Sequence, residues 1–136
     1  MKEIIAVVRM DKTGATKRAL VEAGAAGFTA FKVLGRGKLV EDKAVIADRK
    51  ADLMARAYAE DDQETERLIE GFLDGTRLFP RRLFTVMAQD DAVPQIVDAI
   101  IRANKTDKKV GDGKIFVLPV LDLVRVRTGE SGDNAI

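Results

Sequence analysis

The chain has 136 residues, 46% of them apolar and 33% charged, with a formal net charge of +1. That length suits one domain with a full core, and the near-balanced charge excludes a general electrostatic pull toward nucleic acid or acidic membranes. Cysteine and histidine are both absent, which removes disulfides, thiolate metal sites, thiol nucleophiles and the commonest general base. Ile4-Ile5-Ala6-Val7-Val8 is a short, β-branched apolar run and predicts a buried central strand. Asp11 to Thr16 turns into a helical stretch that runs through Ala23, with Gly24 as its stop. A second strand covers Thr29 to Leu34 and ends at Gly35-Arg36-Gly37-Lys38.

Residues 39–80 differ in kind. They hold 11 acidic and 6 basic side chains, a net charge of −5 in a slightly positive chain. Leu53, Met54, Ala57 and Tyr58 suggest a weak helical stripe. Thr65, Leu68, Ile69, Phe72 and Leu73 form a stronger one, with Asp62 as N-cap and Gly75 as stop. Regular alternation then resumes. Leu83 to Met87 reads as a third strand. Asp90 or Asp91 is expected to cap a helix whose apolar face is Val93, Ile96, Val97, Ile100 and Ile101, with Pro94 tolerated in its first turn. Lys114 to Val117 is a fourth strand, interrupted at Pro119, and Leu121 to Val126 is expected to continue as an edge strand. The order β-α-β, insertion, β-α-β is that of an α+β, ferredoxin-like double βαβ unit with a four-stranded antiparallel sheet. Right-handed crossovers place both helices on one face. The other face is left apolar, and oligomerisation is its natural cover.

Few residues suggest chemistry. Ser131 is the only serine and has no histidine to activate it. No ligand cluster has metal spacing, and basic residues are not interleaved with exposed aromatics as in nucleic-acid binders. The P-loop pattern is unmatched, because Ile115 follows Lys114 and Lys108 stands at the first glycine position. What remains is anion binding by a combination: Gly35-x-Gly37-Lys38 at the end of strand two, Gly111-Asp112-Gly113-Lys114 at the start of strand four, and Arg125 and Arg127 on one side of the expected edge strand. Glycine lets backbone N–H groups approach an anion, and Lys and Arg supply charge. The chain is therefore expected to bind and not to catalyse. No apolar run reaches membrane-spanning length, and Met1-Lys2-Glu3 leads straight into a strand instead of a signal peptide. A cytoplasmic protein without membrane insertion is expected.

These residues resemble the PII nitrogen-signalling family nearly end to end. Met1 to Ala6 is similar to its first strand, Gly27-Phe28-Thr29 to the turn before strand two, and Gly35 to Lys38 to the entry into its long T-loop. Gly111 to Phe116 and Arg125 to Glu130 resemble its most recognisable signatures, and Asn134-Ala135-Ile136 resembles its tail. The resemblance implies a single domain over 1–136, with 39–80 as an extended T-loop. It implies a trimer that binds ATP or ADP between subunits and senses 2-oxoglutarate beside the triphosphate. Thr29 and the backbone near Met87 would face adenine. Gly35, Gly37 and Lys38 would close over the nucleotide. Gly111, Asp112, Gly113 and Lys114 would wrap the phosphates, and Arg125 and Arg127 would reach them across the interface.

Departures from the pattern narrow the branch. The insertion is longer than in the commonest PII proteins and lacks the tyrosine-bearing modification motif, since Tyr58 has alanine neighbours. The GRGK form and long loop resemble the nitrogenase-associated branch, in which two PII proteins act together and inhibit dinitrogenase. That implies a homotrimer or a mixed assembly with a second PII protein, and dinitrogenase as partner. Leu39 stands where the family has a Gln that helps hold Mg²⁺ and 2-oxoglutarate, so this position offers no ligand atom for Mg²⁺. Arg81 follows Pro80 where the family has Lys, and with Lys38 it is the expected 2-oxoglutarate carboxylate site. Leu68, Ile69 and Phe72 would dock the loop on a partner, or pack on the body of the protein. The alternatives are a PII-like regulator of a transporter or metabolic enzyme, and a small enzyme that uses the cradle for a phosphorylated metabolite.

Overall fold

A computed structural model of the chain describes residues 1–37, 43–60, 78–107 and 111–136. The chain divides into two compact units, one of Met1–Val33 with Arg81–Ile136 and one of Leu34–Pro80. Four strands form one sheet: β1 (Lys2–Arg9), β2 (Thr29–Gly35), β3 (Phe79–Ala88) and β4 (Gly113–Pro119), in the order β2-β3-β1-β4. β1 pairs antiparallel with both β3 and β4. This is the expected α+β, ferredoxin-like arrangement.

In the first unit the sheet carries α1 (Thr13–Glu22) and α3 (Val93–Asn104), and α2 (Lys43–Glu60) lies in the second. Alternate residues of a strand share a face. Ile4, Ala6 and Val8 of β1 and Phe84, Val86 and Ala88 of β3 are accordingly buried together with Leu20 of α1 and Ile96 and Ile100 of α3. Phe28 packs edge-on against Phe84, with ring centroids 5.8 Å apart. The opposite face keeps large apolar groups in the open: Phe31 is 51% exposed, Phe116 48% and Leu118 40%.

α1 ends as its glycine predicts. Gly24 takes φ +76, its N–H reaches the Val21 carbonyl, and the Ala25 N–H reaches back to Leu20. These bonds satisfy carbonyls that a helix end would otherwise leave without partners. A 3-10 turn, Met10–Lys12, precedes α1.

Two expectations are corrected. No aspartate caps α3: the N-cap is Ala92, without a side-chain cap bond. Asp90 instead lies 3.1 Å from the Met1 ammonium and 3.5 Å from Lys2 Nζ, where two cations outcompete helix N–H groups. The hydrogen bond from that ammonium holds the Asp90 carboxyl below its ordinary range, although desolvation opposes it.

Nor do residues 121–126 form an edge strand. Apart from one isolated bridge, Val124 to Ser131, the segment turns. Asp122 Oδ1 accepts the N–H groups of Leu123 and Gly132, and the Arg125 carbonyl accepts those of Thr128 and Gly129. Local side-chain and turn bonds have replaced a ladder. Arg125 and Arg127 are therefore not placed by strand alternation. The weak stripe at 53–58 lies in the longer α2, and the acidic helix expected at 62–75 lies outside the described residues.

Candidate functional site

The glycines of the Gly111-Asp112-Gly113-Lys114 turn have separate tasks. Gly111 and Gly113 both take positive φ, +88 and +117. A Cβ on Gly113 would stand 2.1 Å from the Val7 carbonyl oxygen, so only glycine allows β4 to start this close to β1. Asp112 between them is held by Thr106, whose Oγ1 donates to Oδ1 (2.6 Å) and whose N–H donates to Oδ2 (2.8 Å). Burial works against ionisation of Asp112, yet the Thr106 hydrogen bonds, then Arg9 and Lys12, hold its carboxyl below the usual value of 3.8. Lys114 follows on β4, exposed and opposite Val7. Asp112, Gly113 and Lys114 line one end of a groove of about 450 Å³ between α3 and β4.

Cations gather at this end of the sheet. The β1–β3 register sets Arg81 opposite Arg9, two residues beyond Val7. Strand alternation places Arg81 on the same face as Lys114. Arg82, opposite Val8, has a buried Nε without a hydrogen-bond partner among the described residues. A glycine turn followed by a lysine, at a sheet end that also carries Arg81, has the composition that suits a multiply charged anion.

Thr29 and Met87 are elsewhere. They line a cavity of about 540 Å³ together with Phe28, Glu3, Thr85, Leu123 and Ile136, in which Thr85 Oγ1 donates to Glu3 at 2.7 Å. Met87 is opposite Glu3, whereas Gly113 is opposite Val8. Val8 is five positions along β1 from Glu3, about 17 Å of strand. The two halves of the expected nucleotide site therefore lie at opposite ends of one sheet.

Arg125 belongs to the Thr29 end. Its Nη2 donates to the carbonyls of Asn134 (2.9 Å) and Ile136 (3.2 Å), and its Nη1 pairs with Glu130 at 2.6 Å. Ile136 in turn lines the Thr29 cavity. Arg127 is exposed. Gly35 and Gly37 fall in the second unit. Lys38, Leu39, Leu68, Ile69 and Phe72 lie outside the described residues. Sequence reasoning missed Arg9 and Thr106, which grip the turn. A basic residue closing the otherwise apolar run at Ile4–Val8 was the available signal for Arg9.

The nitrogen regulatory protein P-II family profile matches residues 1–130. The chain belongs to that family. Among curated P-II relatives, it is 38% identical over all its 136 residues to "Nitrogen fixation nifHD region GlnB-like protein 2" of Methanobacterium ivanovii, covering 99% of that protein. A namesake from Methanococcus maripaludis is also 38% identical, with both chains covered in full. "Nitrogen regulatory protein P-II" of Cereibacter sphaeroides is 32% identical, again over both full lengths. The resemblance to the nitrogenase-associated branch of the P-II family is thus borne out. P-II proteins are regulatory signalling proteins. Among the described residues of this one, no helix is long and apolar enough to cross a membrane.

Proposed function

We propose that this P-II protein is a cytoplasmic, non-catalytic sensor that binds ATP or ADP in clefts between subunits and regulates nitrogenase through residues 39–80. One observation carries the reading: the glycine turn with its cations and the Thr29–Met87 cavity occupy opposite ends of the sheet. A nucleotide that uses both needs the turn of one subunit and the cavity of the next. Gly111, Asp112, Gly113 and Lys114 of one subunit would hold the phosphates. Thr29 and Met87 of its neighbour would hold adenine, with Arg125 and Arg127 beside them. The open apolar face, with Phe31, Phe116 and Leu118, supports assembly into a trimer or a mixed assembly with a second P-II protein.

Gly35, Gly37 and Lys38 would close over the nucleotide, and Arg81 with Lys38 would take the carboxylates of 2-oxoglutarate. Arg81 shares its sheet end with Lys114, so effector and phosphates would meet there. Leu39 leaves Mg²⁺ without its usual side-chain ligand on this chain. Ligands shift the loop only through unequal affinity for its docked and withdrawn states. Docking through Leu68, Ile69 and Phe72 on dinitrogenase is the proposed output, in keeping with relatives named for the nifHD region.

Calorimetry tests the reading: ATP is titrated with and without Mg²⁺ and 2-oxoglutarate. We expect ATP binding, strengthened by 2-oxoglutarate. Absence of nucleotide binding overturns the proposal. Binding that 2-oxoglutarate leaves unchanged removes the effector site while sparing the nucleotide site. Recovery of a transporter without dinitrogenase, in a pull-down from nitrogen-fixing cells, would reassign the partner.

A further inference from the structure

Arg9 is not among the residues proposed to contact the nucleotide, yet its side chain is only 5% exposed. Its Nε donates to the Gly111 carbonyl at 2.8 Å, and its Nη2 lies 3.3 Å from Asp112 Oδ1. One guanidinium therefore grips two consecutive residues of the turn. Thr106 grips Asp112 as well, through both its hydroxyl and its N–H.

The placement of these bonds separates Arg9 from ordinary fold-stabilising residues. The β1–β4 ladder runs from Lys2 opposite Pro119 to Val8 opposite Gly113. Arg9 is the next residue of β1, and its bonds to Gly111 and Asp112 fall just past the last rung. They hold the turn, not the strand. The turn needs such a hold, since glycine at two of three positions leaves a backbone with little stiffness of its own. The Arg9 backbone is itself fixed, because β1 pairs it with Arg81 of β3. A planar guanidinium presents its donors in a rigid fork, whereas a lysine ammonium is a single point on a flexible stem.

We propose that Arg9 is a positioning residue for the anion-binding turn: it ties Gly111 and Asp112 to β1 and so presets the N–H groups and Lys114 for a polyphosphate. This rests on the nucleotide reading above. Arg9 acts through the turn and touches no phosphate itself.

The test compares wild type with Arg9→Met, Arg9→Lys and Thr106→Val in full-length protein. ATP and inorganic triphosphate are titrated separately, and amide hydrogen exchange is read at Gly111, Asp112 and Gly113 without ligand. Arg9→Met should weaken both ligands by about tenfold or more, the scale of lost supporting contacts around a ligand site, and speed exchange at the turn but not in β1 or α1. Arg9→Lys keeps the charge without the fork and should recover less than half of the lost binding free energy. Thr106→Val removes the hydroxyl bond to Asp112 and should weaken both ligands too. Should Arg9→Met fail to fold, Thr106→Val and Arg9→Lys decide. Wild-type affinity with unchanged exchange at the turn in the folded variants overturns the role of Arg9. Full rescue by Arg9→Lys reduces it to a charge effect and also overturns the fork. If wild type binds neither ligand, the nucleotide reading itself fails, and the exchange data still report whether Arg9 holds the turn.

Discussion

Asp112 is the residue of the Gly111–Lys114 turn whose ionisation the fold favours. Its carboxyl is held below 3.8 because the Thr106 bonds and the Arg9 and Lys12 charges outweigh the burial that opposes them. A carboxylate whose pKa is depressed on folding adds stability that is complete above its unfolded value and disappears as pH falls through the folded one. Wild type should therefore exceed Asp112→Asn in thermal stability by a constant margin above about pH 5, and the margin should shrink below 3.8. Melting curves from neutral pH down to about pH 3 check this; a margin that does not change with pH would refute it. Other residues of the site differ in how far sequence exposes them. Gly113 was legible as a glycine the turn requires, although the clash with Val7 that demands it depends on strand register. Arg125 was legible as a cation but not as a brace of the C-terminal turn, because two of its partners are backbone carbonyls nine and eleven residues away. Side-chain type says nothing of such partners.

At the scale of elements, apolar periodicity disclosed β1, α1, β3 and α3, because burial against a shared core is what sets that periodicity. It failed at 121–126, where alternating leucine, valine and arginine imitate a strand. The aspartate and glycines around them close turns instead. It was also silent on how α1 and α3 are joined. Thr16 and Asn104 are both buried. Asn104 Nδ2 donates to Thr16 Oγ1 and to the Ile100 carbonyl, each at 2.9 Å, and Thr16 Oγ1 lies 2.8 Å from the Lys12 carbonyl. Each polar residue alone reads as an exposed helix position; only the packing of two helices 88 residues apart makes them a pair. Asn104→Ala removes two donors' bonds and an acceptor while leaving Thr16 its Lys12 partner. We expect a loss of about 1–3 kcal/mol, the usual cost of breaking a buried polar pair, with the denaturant slope unchanged. Urea unfolding checks it. A loss within ~0.5 kcal/mol, as for an exposed site, would mean that the pair does not join the helices.

For the molecule as a whole, the sheet has one face closed by α1 and α3 and, among the described residues of the first unit, no helix on the other. The register identifies the second face. Ile4, Ala6 and Val8 point to the core, so Ile5, partnered by Phe116, and Glu3, partnered by Leu118, point away from it. Phe31 joins them, because its neighbour Ala30 packs on the core. With Phe31 at one edge and Phe116 and Leu118 at the other, 51%, 48% and 40% exposed, this face carries the exposed apolar groups expected of an interface. The same assembly would bring the Gly111–Lys114 turn of one subunit to the Thr29–Met87 cavity of another, which a single chain holds about 17 Å of strand apart. Assembly and nucleotide binding should therefore fail together. Phe116→Asp puts an unpaired charge on this face, where apolar surroundings disfavour it strongly, and leaves the helix-side core untouched. Light scattering should give about three times the chain mass for wild type and about one for the variant, at equal secondary structure content, and the variant should lose ATP binding as well. A wild-type monomer would remove the trimer. A Phe116→Asp monomer that still binds ATP at wild-type strength would remove the shared cleft, because one subunit would then hold both ends of the nucleotide by itself.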